Sequence, residues 1–234
     1  MKIKYITLLL IILTVAPLTA QNKYFAGVSG SYLMPMGELS KRFKPGMGGS
    51  VYFGKEVSEK WAWSGRIEYY KFDTPNDEKL IFERQYLIGT EEKAFNYQIK
   101  NLKMDLTVTG VAVNADYNLV KSDLIKTDLH FSFGVYNWIF NRDAYRDSLF
   151  APDTAGVNKL MEDLKVPSLR QEDWSGGFTV GAELDIKIID PVWFTLAANY
   201  RAVVGELWAT LKLGLENVSM LQSGEIRAGF RAEF

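Results

Sequence analysis

The sequence predicts an all-β protein: a single eight-stranded antiparallel up-and-down transmembrane β-barrel. Three observations predict it. Segments of about ten residues alternate strictly between apolar and polar side chains, the period of a strand with two unlike faces. The connections between them alternate long and short, as when loops gather at one end of a barrel and tight turns at the other. Finally, beyond the N-terminal leader no apolar run approaches the roughly 20 residues of a membrane helix. A chain of this kind crosses a bilayer only as a closed barrel, because helices and closed barrels alone satisfy every backbone group in lipid.

The last stretch, residues 223–234, is the most regular. Gly224, Ile226, Ala228, Phe230, Ala232 and Phe234 share one parity; Ser223, Glu225, Arg227, Gly229, Arg231 and Glu233 share the other. The remaining strands follow in chain order. Residues 23–34 form the first, and a Pro/Gly-bounded loop with room for one helical turn follows at 35–46. The second, 47–57, puts Val51, Phe53 and Val57 on one face, and a turn at 58–60 leads to the third, 61–72. Residues 73–100 are a long polar segment in which 80–88 suggests a hairpin arm.

The fourth strand begins near Asn101 with Leu102, Met104, Leu106 and Val108 as its apolar set, then slips phase at Gly110 to Val111, Val113, Ala115 and Tyr117. A β-bulge at Gly110 is the expectation. The fifth strand is 128–140, and a second long polar segment, 141–173, holds a stretch at 157–165 that reads as a short helix. The sixth strand, 174–188, and the seventh, 192–204, meet in a tight turn. Leu207, Leu211, Leu215 and Val218 then recur at helical spacing in a last loop.

Residues 1–20 read as a secretory signal peptide: Lys2 and Lys4 precede an apolar core and Ala20 offers a cleavage point. Residues 21–234 are then one barrel domain. Net charge is −1 for the whole chain, and −3 once Lys2 and Lys4 are removed. With no basic block, nucleic acid is excluded as an expected partner. Without cysteine, stability rests on the hydrogen-bond ladder and packing rather than on disulfides.

A C-terminal strand that alternates in this way and ends on an aromatic residue resembles the last strand of bacterial outer-membrane β-barrels. The whole pattern is similar to the eight-stranded family typified by the OmpA membrane domain and OmpX. The resemblance implies a cell outer-membrane location, long extracellular loops, short periplasmic turns, and contact with outer-membrane lipid and lipopolysaccharide. It also implies that Ile226, Phe230 and Phe234 are a signal read by the barrel-assembly machinery. Aromatic residues near strand ends are expected as two interfacial girdles. Trp61, Trp63, Tyr117, Trp193 and Phe234 fall on the turn side, and Tyr32, Tyr69, Trp138, Trp174 and Tyr200 on the loop side. The competing reading is a soluble lipocalin-like barrel or sandwich with the apolar faces inward.

If the apolar parity meets lipid, the lumen receives Arg66, Glu68, Lys103, Asp105, Glu183, Asp185, Lys187, Arg201, Glu225, Arg227, Arg231 and Glu233. An eight-stranded barrel has an interior that side chains fill, so these charges should pair into a polar plug. The sequence supports three roles. The first is structural or interactive, through the loops, with a surface partner or an envelope protein complex. The second is a narrow pore for small or apolar molecules, as in the OmpW group. The third is an accessory barrel of a secretion machine.

No enzyme activity, metal or cofactor is expected. The one trace of chemistry is His130 with Ser132 on the same face, which resembles the His-x-Ser pair of outer-membrane lipid A deacylases. Phe133 stands where that family has Asn. Asp143, Asp147 and Asp153 lack the spacing of a calcium loop.

Overall fold

The structure is a computed structural model and describes residues 24–234; the leader expected at 1–20 lies outside the described residues. Eight long strands form the wall. They are β1 (Tyr24–Pro35), β2 (Gly46–Glu56), β3 (Trp61–Phe72), β6 (Met104–Lys121), β7 (Ile125–Arg142), β10 (Leu169–Ile189), β11 (Val192–Leu207) and β12 (Val218–Glu233). They close a barrel in the order β1-β12-β11-β10-β7-β6-β3-β2. Every pairing is antiparallel. Closure comes from β1 on β12, with Val28 opposite Phe230 and Tyr32 opposite Ile226.

Short turns join the strands at one end. Ser58 builds one of them, its hydroxyl accepting the Trp61 backbone N–H at 3.1 Å. Ser122 does the same for Ile125 at 3.0 Å. The long connections are largely ordered. The first holds the single helical turn α1 (Leu39–Arg42). The second holds the hairpin β4 (Ile81–Ile88) and β5 (Glu91–Gln98), turned at Gly89 with φ +68°. The third holds the hairpin β8 (Tyr145–Pro152) and β9 (Asn158–Val166). The helix expected at 157–165 is therefore a strand. Its apolar residues Leu164 and Val166 recur at period two and are buried, whereas a helix would have stacked Leu160 with Leu164. In the fourth connection the helical spacing yields only a 3-10 turn, Leu211–Leu213. Leu207 ends β11, and Leu215 and Val218 plug into the core.

Each barrel strand turns apolar side chains outward. Val28, Val51, Ile67, Val111, Phe133, Val180, Leu196 and Ile226, one from each strand, are all exposed. A continuous apolar belt of this kind far exceeds the scattered apolar residues that water tolerates. It is a lipid-facing surface.

Towards the loop end the facing inverts. In β6, Val111 and Val113 point out while Asn114, Asp116 and Asn118 point in. Above Gly110, Asp105, Thr107 and Thr109 point out and Met104, Leu106 and Val108 point in. β7 does likewise, with buried His130 and Ser132 low in the lumen and buried Tyr136, Trp138 and Phe140 above. The strands leave lipid at this level and continue as a water-facing barrel with an apolar core.

The bulge expected at Gly110 is absent. Register runs unbroken through it on both sides and shifts only between Asn118 and Val120. The phase change in the sequence is a change of solvent, not of pairing. Gly110 is small for another reason: the Tyr136 ring lies across it, and a Cβ there would overlap ring atom Cδ1.

Three substitutions test this description. Gly110→Val should lower unfolding stability in lipid vesicles by about 1–3 kcal/mol through overpacking. Gly65→Ala, whose Cβ meets nothing within 4 Å, should leave it within about 0.5 kcal/mol. Phe230→Arg, which puts a charge on the exposed belt, should cost about 2–4 kcal/mol if near the bilayer midplane. Urea titrations of refolded protein measure all three.

Candidate functional site

The lumen of the lipid-embedded part is a connected polar network. β12 supplies Glu225, Arg227 and Arg231, facing β10, β11 and β3 residues that share its inward parity. Arg201 donates to both Glu68 oxygens and, at 3.2 Å, to Glu225. Glu225 also accepts from Ser31 at 2.6 Å and Asn199 at 3.1 Å. Tyr136 Oη donates to Glu68 at 3.1 Å and so joins this network to the apolar core above.

One level down, Arg227 pairs with Glu183 at 3.0 Å. Arg66 donates to Ser50 at 2.9 Å and lies over the Tyr52 ring. Nearer the turns, Arg231 pairs with Asp185 at 2.9 Å and stacks on Phe25. At the mouth, Lys126 bridges Glu56 and Glu233 beside the Trp193 ring. Sequence reading missed Lys126, Glu56, Asp116 and Asp128; all four share the inward parity of their strands, which was the available signal.

Two charges expected inside are not there. Lys103 precedes the strand and is exposed, and Asp105 points outward because β6 has already left lipid at that height. With Lys71, Asp73, Asn141 and Asp143 they line a cleft of about 330 Å³ on the outer wall. Lys187 and Glu233 keep inward parity but sit at the open mouth, Lys187 pairing with Asp190 at 2.5 Å.

Two expected girdle residues are also misplaced. Trp193 is buried in the lumen mouth between Lys126 and Lys187. Trp138 is buried in the upper core, its indole N–H donating to Ser175 at 2.9 Å. Both lie on the inward parity of their strands, which overrides their nearness to a strand end. Trp61, Trp63, Tyr117, Tyr32, Tyr69, Trp174 and Tyr200 all point outward, with Trp61 and Tyr117 in edge contact. Ile226, Phe230 and Phe234 lie on the outer face of the closing strand, Phe234 against Phe53.

His130 Nδ1 is 2.5 Å from Asp116 Oδ1, while Ser132 Oγ has no hydrogen-bond partner among the described residues. His130 and Ser132 are 1% and 2% exposed, so an acyl chain outside the wall has no contact with them. Of the loop aspartates, Asp153 accepts the backbone N–H groups of Ala155 and Val157 and shapes the β8–β9 turn, and Asp147 accepts from Tyr145.

The loop end is a packed body. Leu39, Phe43, Leu80, Phe82, Leu149, Leu164 and Leu213 from all four connections join Met104, Trp138 and Phe140 in one buried cluster. The hairpins are tied together on top: Arg84 donates to Glu162 at 3.3 Å and to the Lys212 carbonyl at 2.6 Å, and Tyr97 to the Phe150 carbonyl at 2.9 Å. Leu87, Phe150, Leu160, Trp208 and Leu211 remain exposed on its surface.

Among solved structures, a major outer membrane protein from Thermus thermophilus superposes with a TM-score of 0.52 at 8% identity, over 92% of this chain and all of that one. The fold is that of an outer-membrane β-barrel. Neisserial surface protein A aligns with a TM-score of 0.47 at 12% identity over 90% of this chain and 97% of its own. Ail, the attachment invasion locus protein of Yersinia pestis, gives 0.41 at 11% identity over 91% and 97%. No family model matches the chain, and no curated protein sequence matches it.

The network predicts its own sensitivity. Arg201→Met leaves Glu68 and Glu225 buried without their shared cation. Unfolding stability should fall by about 3–5 kcal/mol, and Glu68→Gln in the Arg201→Met background should restore part of it. Denaturant titration of the two single variants and the double variant checks the coupling.

Proposed function

We propose that this chain is an outer-membrane protein with a closed lumen, oriented with its turns in the periplasm, whose working surface is the ordered body at the loop end. It binds a surface partner or an envelope component there, and meets membrane lipid and lipopolysaccharide along its belt. The observation that carries the reading is the filling of the barrel at two levels. An ion-paired network occupies the lipid-embedded part, and an apolar core stops the loop end.

A water path would have to cross that core, where Tyr136, Phe140, Val203 and Leu207 are fully buried. This weighs against transport through the lumen. Rigid scaffolds that hold ordered connections at one end place recognition there. The exposed Leu87, Phe150, Leu160, Trp208 and Leu211 give that surface apolar contact area.

The test is electrical. Purified protein inserted in planar bilayers should give no steady unit conductance. A reproducible unit conductance from the wild-type chain would sink the closed-barrel reading. Fractionation belongs beside it: the protein should appear in the outer-membrane fraction and change gel mobility on boiling.

A further inference from the structure

The loop-end body contains two arginines that its own chemistry does not explain. Arg42, in α1, and Arg142, at the loop end of β7, are 1% and 4% exposed. In the lumen below, each buried arginine lies within 4.0 Å of at least one carboxylate. Here, no carboxylate among the described residues comes within that distance of either guanidinium. Glu38, which acts on Arg42 from further off, is paired with Lys41 at 2.9 Å.

What the two arginines do touch is neutral. Arg42 Nη2 donates to the carbonyls of Trp208 at 3.1 Å and Glu216 at 2.7 Å, and its guanidinium lies over the Phe140 ring. Arg142 donates to the Thr210 hydroxyl and, at 2.8 Å, to the Pro167 carbonyl. That leaves Nη1 of Arg42 and Nε of Arg142 buried without any acceptor. The Thr210 hydroxyl accepts from Arg142, so its own proton is free to donate. Burial, with Arg142 nearby, pulls Arg42 down to about 10. Two like charges enclosed together, each with an unused donor, are costly unless an opposite charge joins them.

We propose that Arg42 and Arg142, with the Thr210 hydroxyl, bind a small phosphate-class oxyanion between α1, the end of β7 and the base of the β11–β12 connection. Planar guanidinium donors match the oxygens of a tetrahedral oxyanion better than they match a halide. The burial of both side chains inside the loop-end core excludes a lipid headgroup and selects a free ion. Bound there, the anion would tie three connections together and set the shape of the surface they present. None of these contacts depends on whether the lumen conducts.

The test uses the full folded barrel in detergent, with inorganic phosphate titrated against sodium chloride at constant ionic strength. The expected result is a saturable rise in unfolding temperature and a saturable heat by calorimetry. Arg42→Met and Arg142→Met should each weaken apparent affinity by roughly tenfold or more. Arg146→Met, at an exposed position of β8, should leave it unchanged. No saturable response in the wild-type chain overturns the proposal even if neither variant folds, and so does an equal response in the variants.

Discussion

Within a bilayer no water is present to bond a stray amide, so the pairing of β1 with β12 governs everything else. Closure fixes how many strands share the wall. That number fixes how much room lies inside, and the room is only enough for side chains. Because the belt outside must be apolar, the inward positions fall to Arg201, Arg227, Arg231 and their carboxylates. Each of those ions is tolerable because another faces it across the lumen.

The wall does not stop where lipid stops. β6, β7 and β10 run on past the belt, and their inner face changes character at Gly110 and Tyr136. Tyr136 is where the two interiors meet. Its ring belongs to the apolar cluster and its hydroxyl to Glu68. The glycine beneath it makes the join possible, since any side chain there would displace the ring. The connections then close over the upper core and are held by Arg84 and Tyr97 rather than left as free loops.

The fold was legible because a strand with lipid on one side and a polar lumen on the other writes period two plainly, and residues 223–234 do so without exception. Legibility failed where a position had two readings. The phase change at Gly110 is written the same way by a bulge and by a change of surrounding medium, and only register separates them. Trp138 and Trp193 lie near strand ends, which is the mark of a girdle residue, but they share the inward parity of Tyr136 and Thr195. Lys103 and Asp105 alternate with apolar residues as lumen charges do, but parity alone does not mark where the bilayer ends. The hairpin at β8–β9 is rich in charge and short of β-branched residues, so its pairing is set by Tyr145, Leu149, Leu164 and Val166 packing below it. The partners of Arg42 are carbonyls of residues far along the chain, which no spacing rule can reach.

The inversion of the wall also gives the molecule two kinds of cohesion with different responses to temperature. The upper core is held together by expulsion of water, a force with a large heat-capacity signature that weakens on cooling. The belt below exchanges hydrocarbon for hydrocarbon, and its integrity rests on hydrogen bonds and ion pairs, whose burial contributes to heat capacity with the opposite sign. Cooling weakens the first kind of cohesion, and strongly excluded salts strengthen it. A single wall thus joins a head held by expelled water to a stem held by polar pairing.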